Sequence, residues 1–191
     1  MAIAAGRHQF GTANGRITLR TFRDGLAAQV GHDLTIEAVS WSGELVVAPD
    51  LRPASLTVEV DVGALVVRAG TGGIKPLTDR DKREIAVSAR KVLSADRYPE
   101  ATFTATSFEP GPGDAGGIIV GTLTLAGRSQ PQRLQVSQVG AGQYRATTTI
   151  RQTSFGIKPY SAFLGSLKVA DAVEFEAEVD LSQAAEEEPA A

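Results

Sequence analysis

The residue types that most often perform chemistry are scarce in this sequence. Its 191 residues include no Cys and two His, His8 and His32. A chain without cysteine has no disulfide, no thiol nucleophile, no thiolate zinc site and no iron-sulfur cluster. Two histidines are too few for a multi-histidine metal centre. We therefore expect no metal and no cofactor.

Three further patterns resemble chemical motifs but lack an essential part. The glycine-rich run 70–76 contains a lysine without the spacing of a phosphate loop. Ser166 follows a glycine but is not in a Gly-x-Ser-x-Gly elbow. Glu174, Glu176 and Glu178 alternate with apolar residues, so we expect them on the outer, solvated face of a strand.

His32 is the most informative polar residue, because alternation in the run 30–34 places it on an otherwise apolar face. A buried imidazole needs a hydrogen-bond partner or stays neutral at a desolvation cost. Three roles remain open: a structural histidine, a polar contact for a ligand head group, and a catalytic base. No nucleophile or third catalytic group is recognisable near it in the sequence.

The elements that would position these residues are mainly strands. Alternation of apolar and polar residues, interrupted by Gly, Pro, Asp or Asn, predicts nine of them. They are 16–22, 26–36, 41–47, 56–62, 101–108, 118–125, 133–139, 144–152 and 173–181. The segment 79–94 instead has helical spacing, with acids in its first turn and bases near its end. We predict an all-β fold, an eight-stranded antiparallel barrel with one amphipathic helix beside it, and a sandwich is the alternative.

Several predicted inward positions carry almost no side-chain volume. They are Ala28, Gly43, Ala101, Ala105, Gly121, Ala146 and Ala177. Small inward residues leave room for an apolar ligand, but they also occur at sharp barrel corners. The apolar connection 151–171 is either the lid of a ligand cavity or a plug that closes one end of the barrel.

Composition places the chain among ordinary globular proteins, with 42% hydrophobic residues and a net charge of -3. This balance does not favour a nucleic-acid partner. We predict one barrel domain over residues 1–181 and a disordered acidic tail over 182–191. The sequence shows no signal peptide and no membrane-spanning segment, so we expect a cytoplasmic protein.

Five runs in order along the chain resemble the YceI-like family. They are 31–34 (GHDL), 41–43 (WSG), 98–103 (YPEATF), 121–127 (GTLTLAG) and the stretch from 155–157 (FGI) through Val173. The resemblance covers nearly the whole chain, from about Phe10 to Leu181. It implies a lipocalin-like barrel around an elongated apolar tunnel that holds a long isoprenoid, isoprenoid quinone or fatty amphiphile without chemical conversion. Family members can also pair into homodimers.

On this resemblance the protein is not an enzyme, and its tunnel lining is assigned by strand parity. The lining residues would be Leu34, Ile36, Trp41, Leu45, Val58, Val60, Phe103, Leu123 and Phe175, with Phe155, Tyr160 and Phe163 near an opening. His32 would be the polar contact within or at the end of the tunnel. Two other functions stay open: a structural or stress-response barrel filled by side chains, and an enzyme that uses His32 as acid or base.

Overall fold

The computed structural model describes residues 3–111, 116–182 and 186–187, and in these most residues form strands. The strands are β1 (Gly6–Gly11), β2 (Gly15–Thr21), β3 (Arg23–Asp24), β4 (His32–Ala38), β5 (Trp41–Val47), β6 (Pro53–Asp61), β7 (Leu65–Gly72), β8 (Glu100–Pro110), β9 (Gly116–Leu125), β10 (Arg128–Gly140), β11 (Gln143–Arg151), β12 (Ser161–Ala162), β13 (Leu167–Val169), β14 (Ala172–Asp180) and β15 (Glu186–Glu187). One α-helix, α1 (Asp79–Val92), connects β7 to β8. The predicted all-β class and the helix are confirmed.

The strands form one large antiparallel sheet and one small one. The large sheet has the order β15-β1-β5-β6-β8-β9-β10-β11-β14-β2-β4-β7, and the small sheet has the order β12-β13-β3. The prediction of eight strands is therefore wrong in number. All nine predicted runs lie in the large sheet, which also contains β1, β7 and β15. In β7 the apolar run 65–67 is continuous and Arg68 follows it, so strict alternation could not reveal this strand.

The large sheet curls back on itself. Trp41 of β5 and Val67 of β7 stand near opposite ends of the strand order, yet they share one buried cluster with Ile17 and Ile36. Helix α1 lies beside β7, and its Ile85 packs against the same cluster. Contacts between distant strands are the geometry of a sheet curled toward a barrel, and α1 packs beside its β7 edge.

Helix α1 begins with a capping box. The Thr78 hydroxyl accepts a hydrogen bond from the backbone N–H of Asp81, and the Asp81 carboxylate accepts one from the backbone N–H of Thr78. Asp79 and Asp81 lie in the first turn, whereas Arg90 and Lys91 lie in the last. This charge distribution interacts favourably with the helix dipole. The capping box fixes where the helix starts beside the sheet.

Two predicted segments differ from the structure at their ends. Strand β4 begins at His32, because residues Ala28–Val30 form a 3₁₀ turn and Leu26 is 97% exposed. The inward alternation that we expected from Leu26 is therefore wrong before His32. Most of the predicted disordered tail, 183–185 and 188–191, lies outside the described residues; Glu186–Glu187 pair with β1. In the described part of the chain, no helix is long and apolar enough to span a bilayer.

Candidate functional site

The curled sheet encloses a cavity of about 1660 Å³. Its lining extends from Gly31 and His32 at one end of the barrel to the turn Asp50–Pro53 at the other. Ordinary small-molecule pockets measure about 300–1,000 Å³. A cavity this large, reaching both ends of the barrel, fits an elongated molecule better than a compact one.

Eleven of the thirteen residues predicted as ligand contacts line this cavity. They are His32, Leu34, Ile36, Trp41, Leu45, Val58, Val60, Phe103, Leu123, Tyr160 and Phe175. They come from six strands of the large sheet and one connecting segment, so the fold brings distant parts of the chain to one surface. Strand parity located the ten that lie on strands, because side chains two apart on a strand share a face.

The other two predicted contacts, Phe155 and Phe163, are not part of the cavity lining. Phe155 is only 2% exposed and lies in the 3₁₀ turn Gln152–Phe155, which the structure packs against β10. Phe163 is 69% exposed. Periodicity could not separate these two phenylalanines from Tyr160, because the segment between β11 and β14 has no regular period.

The small inward residues have two different roles. Ala146 and Ala177 line the cavity, so their missing volume enlarges it. Gly43 and Gly121 instead accommodate aromatic rings, because a Cβ atom there would lie 2.3 Å from Phe10 Cε2 and 2.4 Å from Phe103 Cζ. These glycines therefore allow close packing in the wall.

Two glutamines place amide groups in the largely apolar wall, and the sequence analysis missed them. Gln132 Nε2 donates to Thr148 Oγ1 at 2.5 Å and to the main-chain oxygen of Thr149 at 3.1 Å. Gln152 is 8% exposed, and its Nε2 donates to the main-chain oxygen of Ala170 at 2.9 Å. Both line the cavity. Each is a polar residue on an inward strand parity, the same signal that identified His32.

Three connecting segments form one end of the cavity, and we call them the mouth loops: 22–31, 72–78 and 157–168. Ala27 N donates to the main-chain oxygen of Ser166 at 2.8 Å, and β3 pairs with β13. His32, where β4 begins beside the first loop, forms a hydrogen bond with Lys75 O in the second. Side chains from all three loops line the cavity, among them Val30, Lys75 and Leu167. The loops therefore surround its opening.

The outer face of the sheet carries paired charges. Arg145 Nη2 lies 2.7 Å from Glu178 Oε1, and Arg20 Nη2 lies 3.7 Å from Glu176 Oε1. Glu174 is exposed on the same strand. The expectation that these carboxylates lie on the outer face is confirmed, and surface pairs of this kind contribute little to stability.

At the far end of the cavity, burial raises the pKa of the Tyr144 phenol, because its ionised form is poorly solvated there. Among residues 3–111, 116–182 and 186–187, no group of three or more His, Asp or Glu side chains is arranged to hold a metal ion. The described lining thus combines a large aliphatic and aromatic surface with a smaller number of polar and charged side chains.

Solved structures share this fold. Burkholderia cenocepacia BcnA covers 89% of this chain and 98% of its own, with a TM-score of 0.66 and 16% identity. A Campylobacter jejuni YceI protein covers 75% of this chain and 83% of its own, with a TM-score of 0.51 and 19% identity. At these identities the similarity establishes the fold alone.

Sequence relatives point to the same family. A UPF0312 protein of Shewanella sp. (strain W3-18-1) is 35% identical over 117 residues, and one of Shewanella baltica (strain OS155 / ATCC BAA-1091) is 34% identical over 117 residues. Each alignment covers 56% of this chain and 56% of the relative, so the chain matches about half the length of these curated relatives. The model of the YceI-like domain matches residues 7–181. The chain therefore belongs to the YceI-like family.

Proposed function

We propose that the protein stores or transports a long-chain apolar ligand, an isoprenoid, isoprenoid quinone or fatty amphiphile, in the barrel interior. The observation that carries this proposal is the cavity of about 1660 Å³ lined mainly by Leu, Ile, Val and Phe. Membership of the YceI-like family, whose fold is associated with polyisoprenoid binding, supports the same ligand class.

The energetics of burial are sufficient for such a ligand. Each methylene removed from water contributes about 0.8 kcal/mol, so fifteen to twenty methylenes contribute on the order of 12 to 16 kcal/mol. Association and ordering costs of about 4–15 kcal/mol reduce this value, and a long chain still leaves a surplus. A side-chain-filled barrel, the structural alternative, would have little free volume to offer.

The polar wall residues suit the head group of an amphiphile. His32 lies at the mouth. Gln132 and Gln152 lie in the cavity wall close to the C-terminal end of β11. A ligand carbonyl or hydroxyl near any of them would gain a hydrogen-bond partner that an alkane cannot use. The polar end of the ligand is therefore expected at the mouth end of the cavity.

The deciding experiment is organic extraction of protein purified from its native host, followed by mass spectrometry. The wild-type protein should release a long-chain species. Ala146→Phe places a ring in the cavity and should lower the extracted amount severalfold, whereas Thr149→Phe on the exposed face of the same strand should not. A clean wild-type extract, or equal loss in both variants, would contradict the proposal.

Two further properties stay predictions beside this function. The cytoplasmic location expected from the sequence is checked by cell fractionation. The homodimer that the family resemblance allows is checked by light scattering of the purified protein. Neither property is needed for the ligand to occupy the cavity.

A further inference from the structure

Four large apolar side chains stand exposed on the mouth loops. Leu26 is 97% exposed, Ile74 is 74% exposed, Phe163 is 69% exposed and Leu164 is fully exposed. Single exposed apolar residues are common on protein surfaces, but a group at one end of a barrel is the kind of patch that marks an interaction surface.

The backbone presents two of these side chains at a conformational cost. Phe163 has φ = 50° and Leu164 has φ = 53°, both in the left-handed region. Bulky residues seldom adopt this region, and they keep it only where the surrounding structure imposes it. Here the pairing of β12 with β13 and the hydrogen bond from Ser166 N to Phe163 O constrain the turn. Both strained residues point their side chains into solvent, so packing within the described chain does not explain their backbone conformation.

The exposed apolar side chains lie beside the opening of the cavity. Leu26 is next to Ala27, whose N–H donates to Ser166 O in the third loop, and Ile74 itself lines the cavity. Tyr160 and Lys168 of the third loop line it as well. A surface into which these side chains inserted would therefore face the opening of the cavity.

The mouth loops are also positively charged. They contain Arg23, Lys75, Lys158 and Lys168 but one acidic residue, Asp24, although the whole chain has a net charge of -3. Within the described part of the chain the three lysines form no ion pair. The neighbouring Asp79 and Asp81 are engaged by Lys82 and by the Thr78 cap. Lysines around exposed apolar side chains complement a partner whose surface is anionic and whose interior is apolar.

We propose that the mouth loops dock the protein on an anionic lipid bilayer, with Leu26, Ile74, Phe163 and Leu164 inserted among the head groups and the cavity opening toward the membrane. Docking in this orientation would let an apolar ligand pass between bilayer and cavity without crossing water. The inference concerns the outer surface and goes beyond ligand storage.

The test is flotation of the purified protein with phosphatidylcholine vesicles, with and without phosphatidylglycerol. The protein should float with the anionic vesicles, less with the neutral ones, and less as salt is raised. The double variant Phe163→Ser, Leu164→Ser removes two inserted side chains and should weaken partitioning about tenfold or more. Val139→Ser, at an exposed apolar position outside the mouth loops, is the matched control and should partition like the wild type.

Absence of wild-type flotation with anionic vesicles would overturn the proposal, and so would equal losses in the double variant and in Val139→Ser. Light scattering without vesicles tests whether a second copy of this chain, instead of a bilayer, covers the apolar patch. If the wild type were a dimer and the double variant a monomer, the patch would be a contact between two copies of this chain. Extraction of a long-chain ligand tests storage separately, so the two proposals can fail independently.

Discussion

His32 Nε2 lies 2.8 Å from the main-chain oxygen of Lys75, forty-three residues along the chain. A carbonyl oxygen only accepts, so Nε2 must carry the proton in this bond. The bond attaches the loop before α1 to the first residue of β4. His32 is therefore a structural histidine that also lines the cavity, and its contact with a ligand head group stays a prediction.

Replacement of His32 by Ala should loosen the loop 72–78. Loss of one hydrogen bond should lower the free energy of unfolding by about 0.5–1.5 kcal/mol and raise amide hydrogen exchange in that loop. His32→Gln keeps a donor and should recover part of the loss. Extracted ligand should remain in both variants. If a reaction were found that His32→Ala abolished with the fold and bound ligand intact, the acid–base role would replace this interpretation.

Trp41 should report on occupancy of the cavity. It is the sole tryptophan of the chain, it is 8% exposed, and it lines the cavity. Titration with a brominated long-chain fatty acid should therefore quench its fluorescence to saturation, because the heavy atoms come close to the indole. Thr149→Phe should behave like the wild type, and Ala146→Phe should need more ligand. Quenching that never saturates would indicate collisions in solution rather than binding.

The parts of this protein that were predictable are those governed by a regular period. Alternation in β6 and β14 placed Val58, Val60 and Phe175 on one face, and the structure has them lining one cavity. Helical spacing with acids first and bases last located α1. In each case the local pattern and the tertiary burial agree, as expected for a consistently folding sequence.

The mouth could not be predicted in this way. The positions of Leu26 and Leu164 depend on pairing between β3 and β13, two short strands 143 or more residues apart with no alternation of their own. Gln132 and Gln152 were recognisable in principle, because inward parity on β10 and at the end of β11 places both on the cavity side.

Phe155 and Phe163 should respond oppositely to substitution, although sequence assigned both to the opening. Phe155 is 2% exposed, so Phe155→Ala should cost about 3–5 kcal/mol of unfolding free energy. Phe163 is 69% exposed with φ = 50°, so Phe163→Ser should change it by no more than about 0.5 kcal/mol. Urea unfolding measures both. A large loss for Phe163→Ser would mean that its ring packs within the protein instead of serving an external surface.

Asp81 makes the start of α1 sensitive to acid. Hydrogen bonds from the Thr78 hydroxyl and from the Thr78 backbone N–H, 2.7 and 2.8 Å long, hold the pKa of the Asp81 carboxyl below its ordinary value of 3.8. A pKa lowered by folding means that the carboxylate stabilises the folded state above that ordinary value. This stabilisation is lost as the pH falls through the lower pKa of the folded protein.

Asp81→Asn should therefore lower the Tm at neutral pH, and the difference from wild type should shrink as the solution is acidified below the ordinary pKa of aspartate. Asp79→Asn is a suitable control, because Asp79 lies in the same first turn and does not join the capping box. Thermal unfolding followed by circular dichroism at several pH values measures the effect. A Tm difference that stayed constant down to the acid limit would show that packing of residue 81, rather than its charge, fixes the start of the helix beside the mouth.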